Sequence, residues 1–249
     1  MRLHKLFIVT AVAFLLSACQ SLFGPNFSKP LEAEHIKWEH RPAGCTSSDC
    51  PFVNIDTLRF NDERLNAAIV RALLEKTRTE PDAPLPASLE AYEHYFLNRA
   101  QPGWSSYLQA SIREQHDGLT IIELSSYLDT GGAHGMPGRG MLNYDRQQQK
   151  VLTLQDMLLP GQEGAFWKVA QTAHEAWLVA NDLQNNTEFR KNWPFERTTN
   201  IALDFGSMTL KYDVSSLGPY AMGHPIIKIP YPRLNGILHP EYFPGRRSH

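Results

Sequence analysis

Two alternating runs either side of His116-Asp117-Gly118 constrain this chain most. From Trp104 to Gln115, Tyr107, Gln109, Ser111 and Arg113 alternate with Leu108, Ala110 and Ile112, and Leu119 to Leu128 continues in the same style. A period of two puts apolar side chains on one face of an extended strand and polar ones on the other, and Asp-Gly is a favoured two-residue turn. The region therefore predicts an antiparallel hairpin.

Helices and further strands are arranged around it. His35 to Arg41 and Phe52 to Phe60 read as short strands. Asn61 or Asp62 can cap a helix from Glu63 to Arg78, with Leu65, Ile69, Ala72 and Leu73 on one side and charged residues on the other. A proline-rich break separates it from a helix over Ser88 to Ala100, with Leu89, Tyr92, Tyr95 and Phe96 as its stripe. Gly138 to Tyr144 adds a strand, and Gln155 to Leu159 a helical turn. Glu163 to Asp182 forms an amphipathic helix with Phe166, Val169, Ala173, Ala176, Trp177 and Ala180 facing inward. Asn200 to Phe205, Met208 to Asp213 and Ile226 to Ile229 close the series as strands. The expected class is α+β, a largely antiparallel sheet with packed amphipathic helices.

The N-terminus carries an address. Arg2 and Lys5 precede an apolar run from Leu6 to Ala18, too short to span a bilayer and right for a signal h-region, and it ends in Leu16-Ser17-Ala18-Cys19. This is a lipoprotein signal over residues 1–18, with Cys19 taking the lipid; the alternative is a plain signal peptide whose cleavage site contains a cysteine. Two or three acyl chains exceed the two-signal requirement for stable anchoring, so the partner through Cys19 is a membrane. Gln20 stands where an aspartate commonly retains Gram-negative lipoproteins at the inner membrane. Delivery to the periplasmic face of the outer membrane is expected, with the inner membrane as alternative. Residues 19–34, with Gly24, Pro25, Ser28 and Pro30, read as a flexible tether. Residues 35–249 form the periplasmic domain, with a subdivision near residue 103.

Cysteine usage fits that compartment. With Cys19 lipidated, Cys45 and Cys50 remain as a pair, and in an oxidising periplasm they are expected to form a disulfide that pins a turn. Metal ligation needs two more soft ligands, and redox pairs usually have two intervening residues, not four. Loss of the signal removes two of 24 basic residues and none of 26 acidic ones, leaving a net charge of about −4. Without a basic stripe, nucleic acid is not expected as a partner.

Three stretches carry a family resemblance. Tyr127-Leu128-Asp129-Thr130-Gly131-Gly132-Ala133-His134-Gly135 is followed by Asn143-Tyr144-Asp145 and Val151-Leu152-Thr153-Leu154-Gln155-Asp156-Met157-Leu158. Near the end come Leu217-Gly218-Pro219-Tyr220-Ala221-Met222-Gly223 and Ile226-Ile227-Lys228-Ile229-Pro230-Tyr231. These resemble the RsiV-type extracytoplasmic domain (DUF3298-like), whose motifs are a TGGAHG turn, an LTL-D-LF element and a closing PYA-G and IPY stretch. The resemblance spans Ile36 to Leu238 and implies an envelope or peptidoglycan-linked binding role, since the best known relatives bind lysozyme and the module elsewhere sits beside a polysaccharide deacetylase. Neither the sigma-binding segment nor the retained transmembrane helix of those sensors is expected in this chain.

Candidate site residues follow from the Gly-His turn. Gly131, Gly132 and Gly135 permit backbone conformations closed to other residues and could bring amides and the His134 ring to a ligand. The plainer alternative is a tight bend locked by His134. As a catalytic residue His134 is only a weak candidate, because a general base needs a partner that sequence does not locate. His174-Glu175 begins like a zinc-protease helix, but Leu178 stands where the second histidine belongs. No metal and no cofactor are expected. The expected function is that of an outer-membrane-anchored lipoprotein binding a protein, such as a lysozyme-like one, or a cell-wall ligand. Alternatives are an envelope glycan hydrolase or deacetylase using His134, and a structural spacer.

Overall fold

The computed structural model describes residues 27, 29–80 and 82–246. The signal, Cys19 and most of the tether lie outside the described residues.

Six strands form the main sheet: β1 (Ala33–His40), β2 (Phe52–Phe60), β3 (Ser105–His116), β4 (Leu119–Asp129), β5 (Met136–Asp145) and β6 (Lys150–Val151), in the order β1-β2-β3-β4-β5-β6. The predicted hairpin is β3-β4, and its turn residues Asp117 and Gly118 have φ of 48° and 73°, as a tight turn matching strand twist requires. One pairing departs from antiparallel: β2 and β3 run parallel from Phe52–Ser105 to Asp56–Gln109. Parallel neighbours need a crossover, supplied here by α1 (Glu63–Glu75) and α2 (Leu89–Leu97). Asp62 caps α1, its side chain accepting from the backbone N–H groups of Arg64 and Leu65, and Ser88 caps α2.

The C-terminal strands do not extend this sheet. β7 (Ile201–Leu203), β8 (Met208–Lys211) and β9 (Ile226–Ile229) make a separate three-stranded antiparallel sheet, shorter than the sequence pattern suggested. Packed with it are α3 (Leu154–Met157) and α4 (Glu163–Ala180), whereas α5 (Thr187–Asn192), without a buried residue and unmarked by apolar periodicity, is tied to α4 by the Arg190–Glu175 ion pair.

Consecutive isoleucines show why two layers cover the main sheet. Ile122 joins Val53, Ile55, Leu108 and Leu124 beneath α1 and α2, whereas Ile121 joins Leu119 and Met141 in the core shared with α4 and the second sheet. Both are fully buried, so β4 is covered on both faces at this level. The inner face of α4 is rotated from the expected one. Phe166, Trp167, Ala170, His174 and Leu178 are buried, while Ala176 and Ala180 are exposed, because the buried stripe passes through a histidine that a hydrophobic count treats as polar.

Polar groups join the layers. Arg113 donates Nε to Asp204 Oδ1 at 2.7 Å and Nη2 to Oδ2 at 2.8 Å, and Nη1 to Glu123 at 2.9 Å. Lys211 of β8 pairs with the same Glu123. Asn143 of β5 donates to Ile201 O at 2.6 Å and accepts from Leu203 N at 2.8 Å, holding the edge of β7 against the main sheet.

Candidate functional site

The second sheet covers only part of the helix-free face of the main sheet. At Leu119, Ile121 and Met141 that face is buried, but two rows nearer the other end of β3 and β4 remain open. Register places Asn54, Tyr107, Tyr127 and Pro137 side by side in one row, and Asp56, Gln109, Ser125 and Arg139 in the next.

Tyr107 and Tyr127 of the first row, with Phe52 from the next position on the same face of β2, form a connected set of aromatic rings. Phe52 meets Tyr107 edge-on at 5.1 Å between centroids, and Tyr107 meets Tyr127 at 6.1 Å. Tyr107 and Tyr127 are 39% and 36% exposed, large values for tyrosines on a sheet. At the outer end, the Arg41 guanidinium lies 4.6 Å over the Phe52 ring and donates to Cys50 O at 3.2 Å. Cys45 and Cys50 are disulfide-bonded with their Cα atoms 5.9 Å apart, so the bridge braces this end of the row. The second row is polar: Gln109 donates to Asp56 at 3.4 Å and Ser125 donates to Gln109 at 3.4 Å. Burial and the Glu39 carboxylate push the Tyr107 hydroxyl above its ordinary pKa, so it stays protonated and can donate.

The Gly-His turn closes the other end. Gly131 has φ of +78° and donates its N–H to Asp129 Oδ1 at 2.8 Å. Gly135 is required for another reason: a Cβ there would overlap the Tyr127 ring, which lies against the backbone. Gly132 meets neither constraint, since its Cβ would reach only His134 O at 3.8 Å. The exposed His134 ring stacks on Tyr220 with centroids 4.7 Å apart and planes 20° apart, and the Tyr220 hydroxyl donates to Gly135 O at 3.2 Å. The two sequence motifs, far apart in the chain, thus meet as one latch.

Beside the latch, Asp213 accepts the Arg139 N–H at 2.8 Å and Lys76 donates to Arg139 O. Burial lowers the Lys76 pKa against the opposing pull of Asp213 and Glu75. The Phe52–Tyr107–Tyr127 row was not singled out from sequence. Its signal was present in the polar side of the β3 alternation, but which rings touch depends on the parallel β2-β3 register.

Catalytic chemistry gains no support from this geometry. Among the described residues His134 has no hydrogen-bond or ion-pair partner, only the Tyr220 ring. Nor do three or more His, Cys, Asp or Glu side chains gather in a group that could hold a metal ion among them. What the arrangement offers is recognition: flat rings for apolar faces, bordered by amide, hydroxyl, carboxylate and guanidinium groups.

Comparison with known proteins identifies relatives but no activity. Residues 155–232 match the family described as "Protein of unknown function (DUF3298)". The crystal structure of a DUF3298 family protein from Pseudomonas aeruginosa PAO1 is 63% identical, covers 89% of this chain and 100% of its own, and superposes with a TM-score of 0.85. A DUF3298 family member from Bacteroides fragilis NCTC 9343 shares the fold at 20% identity, covering 85% of this chain and 95% of its own, with a TM-score of 0.67. Among curated proteins none matches the chain.

Proposed function

Because the chain belongs to the DUF3298 family, whose function its description leaves open, we infer a role from the open sheet face: a lipid-anchored envelope protein that binds a cell-wall ligand there. The observation that carries this reading is the Phe52–Tyr107–Tyr127 row with its two tyrosines exposed, bordered at one end by the disulfide and at the other by the His134–Tyr220 latch. Sugar rings present apolar C–H faces edged by hydroxyls. Aromatic rings beside Asn54, Asp56, Gln109 and Ser125 complement both features, and their bracing reduces the ordering cost of binding.

Anchoring rests on the Leu-Ser-Ala-Cys sequence ending at Cys19. It directs the protein to the periplasmic face of the outer membrane, where the tether lets the domain reach the sacculus. Among the described residues no helix is long and apolar enough to cross a membrane.

The test is a pull-down from purified sacculi and from periplasmic extract, compared with a control protein carrying the same lipid anchor. The reading expects sacculi to retain the protein well above the control. Recovery of a periplasmic protein alone would reassign the surface to a protein ligand, and recovery of nothing above the control would overturn the binding role.

A further inference from the structure

A cavity lies away from the aromatic row. It has a volume of about 730 Å³ and runs along the edge of β5, lined by Ala72 of α1 and the α1 C-cap Lys76, and by Trp167, Arg197 and Asn200. Gly140 to Asn143 of β5 line it as well.

That edge is open because β6 is only two residues long. It pairs with Tyr144 and Asp145, and the chain then turns into α3 through the Thr153–Asp156 capping box. The β4-β5 register is unbroken from Met136 to Asp145, so backbone groups of alternate residues point away from β4. Arg139 and Asn143 identify the outward set: Arg139 N–H donates to Asp213, Arg139 O accepts from Lys76, and Asn143 O accepts from Leu152 N at 2.8 Å. Met141 shares their parity. Among the described residues, no side chain or neighbouring strand pairs with its outward N–H and C=O. A strand edge exposing both groups is a template for another strand, and proteins ordinarily cover or blunt it.

We propose that this slot binds a short extended peptide, which adds as a strand to β5 by exchanging two backbone hydrogen bonds with Met141. The occupant follows from the unpaired groups: a donor and an acceptor on one residue match the donor and acceptor of one peptide unit. Residues 139 to 143 span about 13 Å at roughly 3.3 Å per residue, room for about three residues. The Leu152 contact bounds one end and the Lys76–Asp213 clamp on Arg139 the other. Trp167, Leu124 and Leu152 supply apolar lining for alternate side chains. This site is separate from the aromatic row, and neither proposal depends on the other.

The test uses the ¹⁵N-labelled full chain titrated with trialanine and with fully N-methylated trialanine, which cannot donate backbone hydrogen bonds. Trialanine is expected to shift the Met141 amide resonance saturably and slow its exchange, with affinity at least tenfold lower for the methylated probe. An Ala72→Trp variant, filling the slot, is expected to lose the shift. Equal responses to both probes, no response at Met141, or a Met141 amide already protected in the free protein would each overturn the proposal. If Ala72→Trp fails to fold, the comparison of probes decides alone.

Discussion

His134 and Tyr220 stack ring on ring at 4.7 Å although 85 positions separate Tyr220 from Gly135, the residue its hydroxyl holds. One ring comes from the turn after β4 and the other from the loop before β9. The contact fixes where the turn sits relative to the Tyr127 end of the aromatic row.

Tyr220→Phe keeps the stack and removes the bond to Gly135 O. It should cost about 1 kcal/mol or less, the net worth of one partly exposed hydrogen bond. Tyr220→Ala also loses the ring contact and should cost about 1 to 2 kcal/mol. Urea denaturation of both variants checks the order, and the alanine variant alone should weaken retention on sacculi.

Two glycines of the same turn should behave oppositely. Gly135→Ala forces Tyr127 from its place and is expected to destabilise by about 1 to 3 kcal/mol, as overpacking does. Gly132→Ala has space and no left-handed φ, so it should be neutral or stabilise by up to about 1 kcal/mol through the unfolded chain. Thermal melts of the pair distinguish a geometric requirement from a merely glycine-rich motif.

The cross-layer charges give a larger effect. Burial raises the Asp204 carboxyl, but hydrogen bonds from Arg113 and Thr209 outweigh it and hold the pKa below the ordinary value. Arg113→Met would leave Asp204 with only the Thr209 hydroxyl while Glu123 keeps Lys211, and should cost about 3 kcal/mol. Because the Asp204 pKa is depressed by folding, its contribution is present above the ordinary carboxylate range and lost as pH falls through the folded value. Denaturation of wild type and Arg113→Met at pH 7 and pH 3 should show the difference shrinking on acidification.

His174 predicts acid sensitivity in a higher window. The ring is 3% exposed, stacks on Trp177 at 5.7 Å, and neither nitrogen has a hydrogen-bond partner. Burial lowers its pKa, with Glu175 opposing and Arg190 adding to the shift. The unfolded chain therefore takes up a proton first, and stability should decline as pH falls below the ordinary imidazole value of about 6.5. His224 is also lowered, by burial and by Arg139, and contributes with the same sign. His174→Phe should remove part of that slope, measured by melting temperature between pH 8 and pH 5.

Sequence reading reached much of this architecture because the strong signals were local. Phe52–Phe60 was delimited to the residue, the β3-β4 hairpin came from its alternation and Asp-Gly turn, and the Cys45–Cys50 bridge from cysteine parity. What stayed hidden depends on partners distant in the chain. Nothing local to Phe52 or Ser105 specifies a parallel pairing. The second sheet meets the main one through contacts between distant residues, Arg113–Asp204 and Asn143–Ile201 among them. The turn glycines looked equivalent in sequence, and only the position of the Tyr127 ring sets Gly135 apart.

The central claim is that the open face, and Tyr107 and Tyr127 in particular, holds a cell-wall ligand. Cosedimentation of the protein with purified sacculi, wild type against Tyr107→Ala/Tyr127→Ala, tests it most directly. With stacking worth about 0.5 to 1.5 kcal/mol per ring, losing both should weaken binding by about 5- to 150-fold while the far-ultraviolet circular dichroism is unchanged. Equal sedimentation of a folded double variant and wild type would contradict the claim.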